Sequence, residues 1–376
     1  MIVIARAPVR FDLGGNGLDF PSLNQHHIDS VALTASVDYY TYTILSPRSS
    51  DDVKLTSADC RALCHRPKCE DMIWNLPRAV VSYFNLCGGI DIFQASQTPP
   101  GTGLGTARSA TVSLVKALSF WCGLDIGARE VAELACHIER DAVGMPVSQH
   151  DHYAAAFGGI NLISATKNKV SVDRLALSQE TLDRLEAGLM LFLVDASCQP
   201  IFDDTRNRTN TQRASKLIAL KELGLQSCTA LKKGNLELFG ELMHASWLQK
   251  RHLVGRATNS FLDQCYARAR EHGALGGRVT PAGCGHFLML YCPPERQPAV
   301  EAALFPLGLQ RQTFKLEDQG VQIMEAVAWP QFSYTVQADE PETRKEWTLS
   351  TPAQNISVHI AAERRIVEPV AYGGAS

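Results

Sequence analysis

Residues 2–6, 31–46 and 90–97 alternate apolar with polar positions or run apolar with β-branched residues, and these spacings predict strands. The first of them leads into RFDLGGNGLDFP, whose glycines and acidic residues predict a loop. A period near 3.6 predicts helices at about 72–86, 106–121, 126–142 and 148–156. In the second of these, Val112, Val115 and Leu118 lie on one stripe, with Trp121 a turn later. FGGINLIS and KVSVDRL return to a strand pattern. A new β segment, LMLFLVDAS, begins at Leu189, and long helices follow over roughly 209–223, 226–246 and 257–272. GGRVTPAGCGHFLMLYC reads as a strand, a glycine-bearing turn and a second strand or helix start, and TFKLED and VQIMEAVAW add further strands. The pattern is that of two mixed α+β halves meeting near residue 185, with domains over 1–185 and 186–329. The tail over 330–376 shows some alternation in WTLSTPAQNISVHIAA but no clear core, so a loosely attached extension is expected.

Composition narrows the function classes. The chain has 376 residues, long enough for a large core, and its 45% hydrophobic and 20% charged content is that of a globular protein. A net charge of −3 with interspersed signs offers no basic face for nucleic acid. Only five apolar residues precede Arg6, and no run approaches the roughly 18 apolar residues of a membrane span, so a cytoplasmic protein with no membrane partner is expected. Most of the eleven cysteines stand singly in apolar runs, as Cys87, Cys122, Cys136 and Cys292 do, which is the pattern of reduced buried thiols. Cys60, Cys64, His65 and Cys69 cluster within DCRALCHRPKCE, but their spacing matches neither paired zinc knuckles nor the ferredoxin runs. A cysteine-rich surface insertion without metal is expected there.

Three segments carry chemistry. In PPGTGLGTARSATVSLVKAL, Gly101, Gly103 and Gly105 precede a helix start. Glycine backbone can approach a ligand closely, and the helix points free amides and a partial positive charge at the same spot, which suits a di- or triphosphate. Alone, the same stretch also reads as a capping turn; it lacks the Gly-Lys-Thr ending of the usual nucleotide hydrolases. In CHIERDAVGMPVSQHDHYAAAFGG, Glu139 and Asp151 flank a turn at Gly144–Pro146. Two such carboxylates can face one site, one holding magnesium and one orienting a hydroxyl, or Glu139, Arg140 and Asp141 can form a solvated helix end. The third segment is GGRVTPAGCGHF, whose glycines allow close passage of another loop or a ligand.

In this order and spacing the segments APVRFDLGGNGLDFP, PPGTGLGTARSA and RVTPAGCGHF resemble the three motifs of the GHMP kinases, over roughly residues 3–326. IERDAVGMPVSQHDHYAAAFGGINLI, SWLQKRHL and HGALGGRVTPAGCGHFLMLYC are most similar to the branch that phosphorylates heptose phosphates and related sugars. The resemblance implies an N-terminal domain like the second domain of ribosomal protein S5 and a ferredoxin-like C-terminal domain. It also implies ATP and Mg2+ as cofactors and a sugar or sugar phosphate as acceptor, a heptose 7-phosphate at its anomeric position being the specific expectation. By the same resemblance Pro100, Gly101, Gly103, Leu104, Gly105, Thr106, Arg108 and Ser109 form the nucleotide loop. Glu139 and Thr106 hold the metal, Asp151 is the base or hydroxyl-orienting group, and Arg10 pairs with it. Gly14, Gly15, Gly17 and Asp19 bind the acceptor, and a homodimer is compatible with the family.

Two departures from the motif stand out. Ala107 occupies the position of a metal-side hydroxyl, and Arg108 puts a full cation where the family has a small residue. The third loop carries Pro281, Cys284 and His286 where the family has glycine. Two readings stay open: Arg108 substitutes for part of the metal's charge at the nucleotide phosphates, or catalysis is impaired and the chain binds sugar or nucleotide only. An acceptor that is a non-sugar alcohol is a third.

Overall fold

The computed structural model describes residues 1–16, 29–49, 52–57, 62–66, 75–86, 88–98, 102–144, 149–166, 169–194, 210–253, 259–280, 287–327, 347–351 and 354–358. Residues Met1–Val327 form one compact unit and Ala328–Ser376 another. Among the described residues the larger unit holds two sheets. The first has eight strands: β1 (Ile2–Gly15), β2 (Ser30–Pro47), β3 (Val53–Ser57), β4 (Ala62–Arg66), β5 (Ile90–Ser96), β6 (Ile160–Ala165), β7 (Val170–Arg174) and β12 (Gln322–Val327). Their order is β12-β1-β2-β5-β3-β4, with β6 and β7 continuing from β2, and β3–β5 is the parallel pair. β2 is long enough to pair β6 through its first half and β5 through its second. The second sheet, β11-β8-β10-β9, is antiparallel and consists of β8 (Leu189–Leu193), β9 (Gly276–Thr280), β10 (Phe287–Tyr291) and β11 (Gln310–Gln312).

Helices α1 (Asn75–Tyr83), α2 (Thr106–Trp121), α3 (Ala128–His137) and α4 (Gln149–Phe157) belong to the first half. The α2 stripe read from the sequence is buried: Val112, Val115 and Leu118 pack with Val131, Ala135 and Ala154 against Val3, Ala5, Leu45 and Ile92. Helices α5 (Gln179–Gly188), α6 (Asn210–Lys232), α7 (Leu236–Leu253), α8 (Ser260–Glu271) and α9 (Gln297–Leu304) follow. A second core joins the halves, since Val9, Phe11 and Leu13 of β1 share it with Leu191, Phe239, Met243 and Met289. A third, around Trp247, Tyr266 and Leu288, closes the far face of the second sheet.

Several sequence expectations change. RFDLGG is strand rather than loop, because β1 continues through Gly15 with alternate positions buried on both faces. Its acidic residue is paired inside the protein instead of solvated. A register shift after Pro8 skips Asp38 and Tyr39 of β2; beyond it Val9, Phe11 and Leu13 enter the second core. The helices expected at 209–223 and 226–246 are in fact Asn210–Lys232 and Leu236–Leu253. Gly224 does not break the first of them, because it packs on Gly15: a Cβ at Gly224 would lie 2.7 Å from the Gly15 Cα. The break falls at Gly234, with φ of 66°, and Asn235 caps the next helix by accepting from the Leu238 amide. The cysteine-rich stretch contributes β4, which pairs with β3 at the edge of the main sheet, Cys64 opposite Leu55. Cys60 and Cys69 lie outside the described residues. TFKLED contributes only a bridge between Leu316 and Val37. α5 and α9 lie where the sequence pattern gives no helix; the Ser178 hydroxyl caps α5 by accepting from the Thr181 amide. The smaller unit contains a hairpin of β13 (Trp347–Thr351) and β14 (Gln354–Val358).

Candidate active site

The turn before α2 is built by left-handed glycines, Gly103 with φ of 78° and Gly105 with φ of 79°, conformations that cost glycine little and other residues more. Gly105 occupies the helix N-cap and offers no side chain to the first free amides, which stay available to an anion. Strand β1 holds this turn from below. The Arg10 amide donates to the Leu104 carbonyl at 3.0 Å, and Arg10 Nη1 donates to the Gly103 carbonyl at 2.8 Å. From the second half, the Thr280 hydroxyl donates to the Thr102 carbonyl at 3.1 Å.

The rest of the Arg10 guanidinium grips Asp151 in the first turn of α4. Nε and Nη2 donate to Oδ1 at 2.8 and 2.5 Å. Burial alone would raise the Asp151 pKa, but the charge of Arg10, helped by His150 and Arg108, outweighs it and holds the carboxyl down at about 2. The side chain is therefore an anion at neutral pH, and too weak a base to keep a proton there.

Glu139 lies where α3 ends in a π-helical turn, Ile138–Ala142. The turn separates it from its neighbours: Arg140 and Asp141 pair with each other at the surface, 2.9 Å apart, while Glu139 is 1% exposed. So Glu139 is not part of a solvated helix end. Its Oε1 receives Arg108 Nη2 at 3.0 Å, and its Oε2 receives His152 Nε2 at 2.6 Å. Thr106, the other expected metal ligand, is buried with its hydroxyl 2.8 Å from that of Thr98. With a guanidinium cation 3.0 Å from Glu139, the Thr106 hydroxyl turned to Thr98 and alanine at position 107, these side chains do not fit a protein-held magnesium ion.

Other expected positions are packed. Ser109 donates to the Ala7 carbonyl and meets Thr41, so its hydroxyl ties α2 to the sheet, and Leu104 is fully buried. Gly14 and Gly15 face α6, where Gly15 comes against Gly224. Pro100, Gly101, Gly17, Asp19, Pro281, Cys284 and His286 lie outside the described residues.

Sequence reasoning missed a charged cluster two residues from Arg10. Asp12 meets Arg278 of β9 at 2.7 Å and Lys250 of α7 at 3.5 Å. Although burial opposes it, the cations of Arg278 and Lys250 keep Asp12 well below the usual carboxylate range. Burial, then the adjacent Arg278, pushes Lys250 down to about 8, against the pull of Asp12. Arg278 Nε and Trp247 Nε1 are buried donors with no partner among the described residues, and both residues line one small cavity with Ser246 and Lys250. The signal was the alternation Arg10-x-Asp12 and the positions of Lys250 and Arg278 within SWLQKRHL and GGRVTPAG.

A glycine-built anion cradle beside an aspartate held ionised at neutral pH is the apparatus of a phosphotransferase. The GHMP kinases N terminal domain family matches residues 71–159 and the GHMP kinases C terminal family matches 228–306, and the chain belongs to the GHMP kinases, with their α+β two-domain fold. It is 25% identical over 329 residues to D-glycero-alpha-D-manno-heptose 7-phosphate kinase of Campylobacter jejuni, covering 84% of this chain and 97% of that one. A crystal structure of a D-glycero-D-manno-heptose 1-phosphate kinase from Bacteroides thetaiotaomicron superposes with a TM-score of 0.72 at 25% identity, covering 87% of this chain and all of that one. Lactococcus lactis galactokinase complexed with galactose shares the fold, with a TM-score of 0.66 at 16% identity over 85% of this chain and 95% of the other. Among the described residues no helix is long and apolar enough to cross a membrane.

Proposed function

We propose that the chain transfers the γ-phosphoryl group of ATP to a hydroxyl of a sugar phosphate, a heptose 7-phosphate phosphorylated at the anomeric position being the favoured acceptor. The observation that carries this reading is Asp151. Every contact it makes among the described residues falls on Oδ1, so Oδ2 is available to accept the acceptor hydroxyl. A carboxylate held at a pKa of about 2 orients that hydroxyl in line with the γ-phosphorus rather than removing its proton early. The proton passes late to Asp151 Oδ2, and from there to solvent, as the bond from the acceptor oxygen to the γ-phosphorus forms and the bond to the departing ADP breaks. Amides at the start of α2 bind the nucleotide phosphates, and the guanidinium of Arg108 adds charge beside them.

The phosphate on the acceptor is supported by the second charged cluster. Three cations, Arg10, Lys250 and Arg278, share two carboxylates, Asp12 and Asp151, leaving a surplus of one positive charge next to unpartnered buried donors. Such a surplus favours an anionic, oxygen-rich acceptor over a neutral sugar. Asp19 and Gly17 remain the proposed hydroxyl ligands of the N-terminal loop, residues 1–185 and 186–329 the proposed domains, and the cytoplasm the proposed compartment. The engagement of Glu139 favours a second reading, a binding relative with impaired catalysis. Release of ADP on offering heptose, hexose and pentose phosphates and their unphosphorylated sugars separates the two. Nucleotide binding without ADP from any acceptor would support the second.

A further inference from the structure

The strongest departure of this site lies at the start of α2. A carboxylate that holds a divalent ion must turn its oxygens to it clear of competing cations, and each oxygen of Glu139 already carries a donor, one of them a guanidinium cation that would repel the ion. One oxygen takes Arg108 Nη2 at 3.0 Å and the other takes His152 Nε2 at 2.6 Å. Both His152 and Glu139 are essentially inaccessible, at 0% and 1% side-chain exposure, so this triad forms in a low-dielectric setting where exchanging partners is costly. Arg108 is 24% exposed and lies on the first turn of the helix whose amides are open. Its charge also reaches Asp151, helping to keep that carboxyl ionised. The next small position, Ala107, removes the hydroxyl that would complete a metal shell, and the Thr106 hydroxyl turns to Thr98.

We infer that Arg108 is a tethered cation standing where a carboxylate-held divalent ion would otherwise sit, so that the protein binds nucleotide phosphate without gripping a metal of its own. Glu139 is then a positioning residue: with His152 it fixes the guanidinium at the helix start. The magnesium that accompanies ATP in solution is, on this account, carried by the nucleotide and not by Glu139. The inference rests on the kinase reading above, because it concerns the nucleotide side of the same site.

The test is calorimetric binding of ADP and of a non-hydrolysable ATP analogue, each in excess Mg2+ and in EDTA. The parent should differ by less than about threefold between the two conditions, since a fixed guanidinium supplies the charge. Ala107→Ser combined with Arg108→Ser should weaken binding by about tenfold or more in EDTA and regain most of it in Mg2+, because a charge-assisted contact is exchanged for a metal-side hydroxyl. Glu139→Gln should leave the parent's indifference to metal intact. A parent that tightens by about tenfold or more with Mg2+, with the gain abolished in Glu139→Gln, overturns the inference while leaving the kinase reading standing. If Glu139→Gln does not fold, the parent's comparison of Mg2+ with EDTA decides alone. Failure to bind nucleotide in either condition overturns the kinase reading together with the inference.

Discussion

Arg10 and Asp151 stand 141 positions apart in the chain, yet the guanidinium donates twice to the single oxygen Oδ1 and leaves Oδ2 without a partner among the described residues. The asymmetry separates two tasks within one carboxylate. Oδ1 anchors the group and fixes its charge; Oδ2 can meet the acceptor. Strand β1 also binds the Gly103 and Leu104 carbonyls through Arg10, so the same residue sets the distance between the anion cradle and the carboxylate.

Asp151→Asn keeps the shape of the side chain and removes its charge. Turnover should fall on the order of 10²-fold or more, the scale of a positioned acid–base or orienting group, while ATP affinity stays near the parent's. Steady-state kinetics with ADP detection and direct nucleotide binding check this. Turnover close to that of the parent would remove Asp151 from the reaction.

Arg10→Met tests the electrostatic half of the pair. Asp151 is depressed in the folded state, from 3.8 to about 2, so its favourable contribution is present above pH 4 and is lost as pH falls towards 2. Without Arg10 the burial that opposes ionisation prevails and the pKa rises. The acid limb of both stability and turnover should then move to higher pH. At neutral pH the unpaired buried carboxylate should cost roughly 3–5 kcal/mol, measurable by denaturant unfolding. An unchanged acid limb would mean that another cation holds Asp151.

Gly224→Ala probes how the acceptor loop is supported. The added Cβ would sit 2.7 Å from the Gly15 Cα and 2.9 Å from its nitrogen, and backbone cannot rotate away as a side chain can. A loss of about 1–3 kcal/mol is expected, the usual cost of overpacking, together with a raised KM for the acceptor and a smaller effect on ATP. A neutral effect on both would show that α6 and β1 separate easily at this crossing.

Legibility in the sequence followed the range of the forces involved. The α2 stripe, the β8 segment and the order of the three motifs were readable because periodicity and glycine placement are local properties. Glu139 was ambiguous because the π-helical turn that buries it, while its neighbours Arg140 and Asp141 stay in solvent, leaves no mark on a 3.6-residue pattern. The strand through Asp12 read as a loop because a charged, glycine-rich stretch looks solvated until Lys250 and Arg278 arrive from α7 and β9 to pair with it. The helix through Gly224 reads as two helices for the same reason: the partner of that glycine, Gly15, is distant in sequence.

Lys250→Met sets function against stability. In the folded state burial and Arg278 hold Lys250 at about 8, below its ordinary 10.5. The unfolded chain therefore binds more protons between those two values, and the stability of the parent should rise as pH is raised through that window. Below pH 8 the buried ammonium costs on the order of 3 kcal/mol, net of the pull of Asp12, which keeps Arg278 as a second partner. Methionine fills similar volume without a charge, so the variant should melt at the same temperature or higher at pH 7, and its rise in stability towards alkaline pH should vanish. If the cationic surplus serves the acceptor's phosphate, the same variant should raise KM for a phosphorylated acceptor by about tenfold or more and leave that for ATP nearly unchanged, the signature of one lost charge-assisted contact. The KM for an unphosphorylated sugar should scarcely move. Equal losses for both acceptors would assign Lys250 to the architecture of the cleft and take away the support for a phosphorylated substrate.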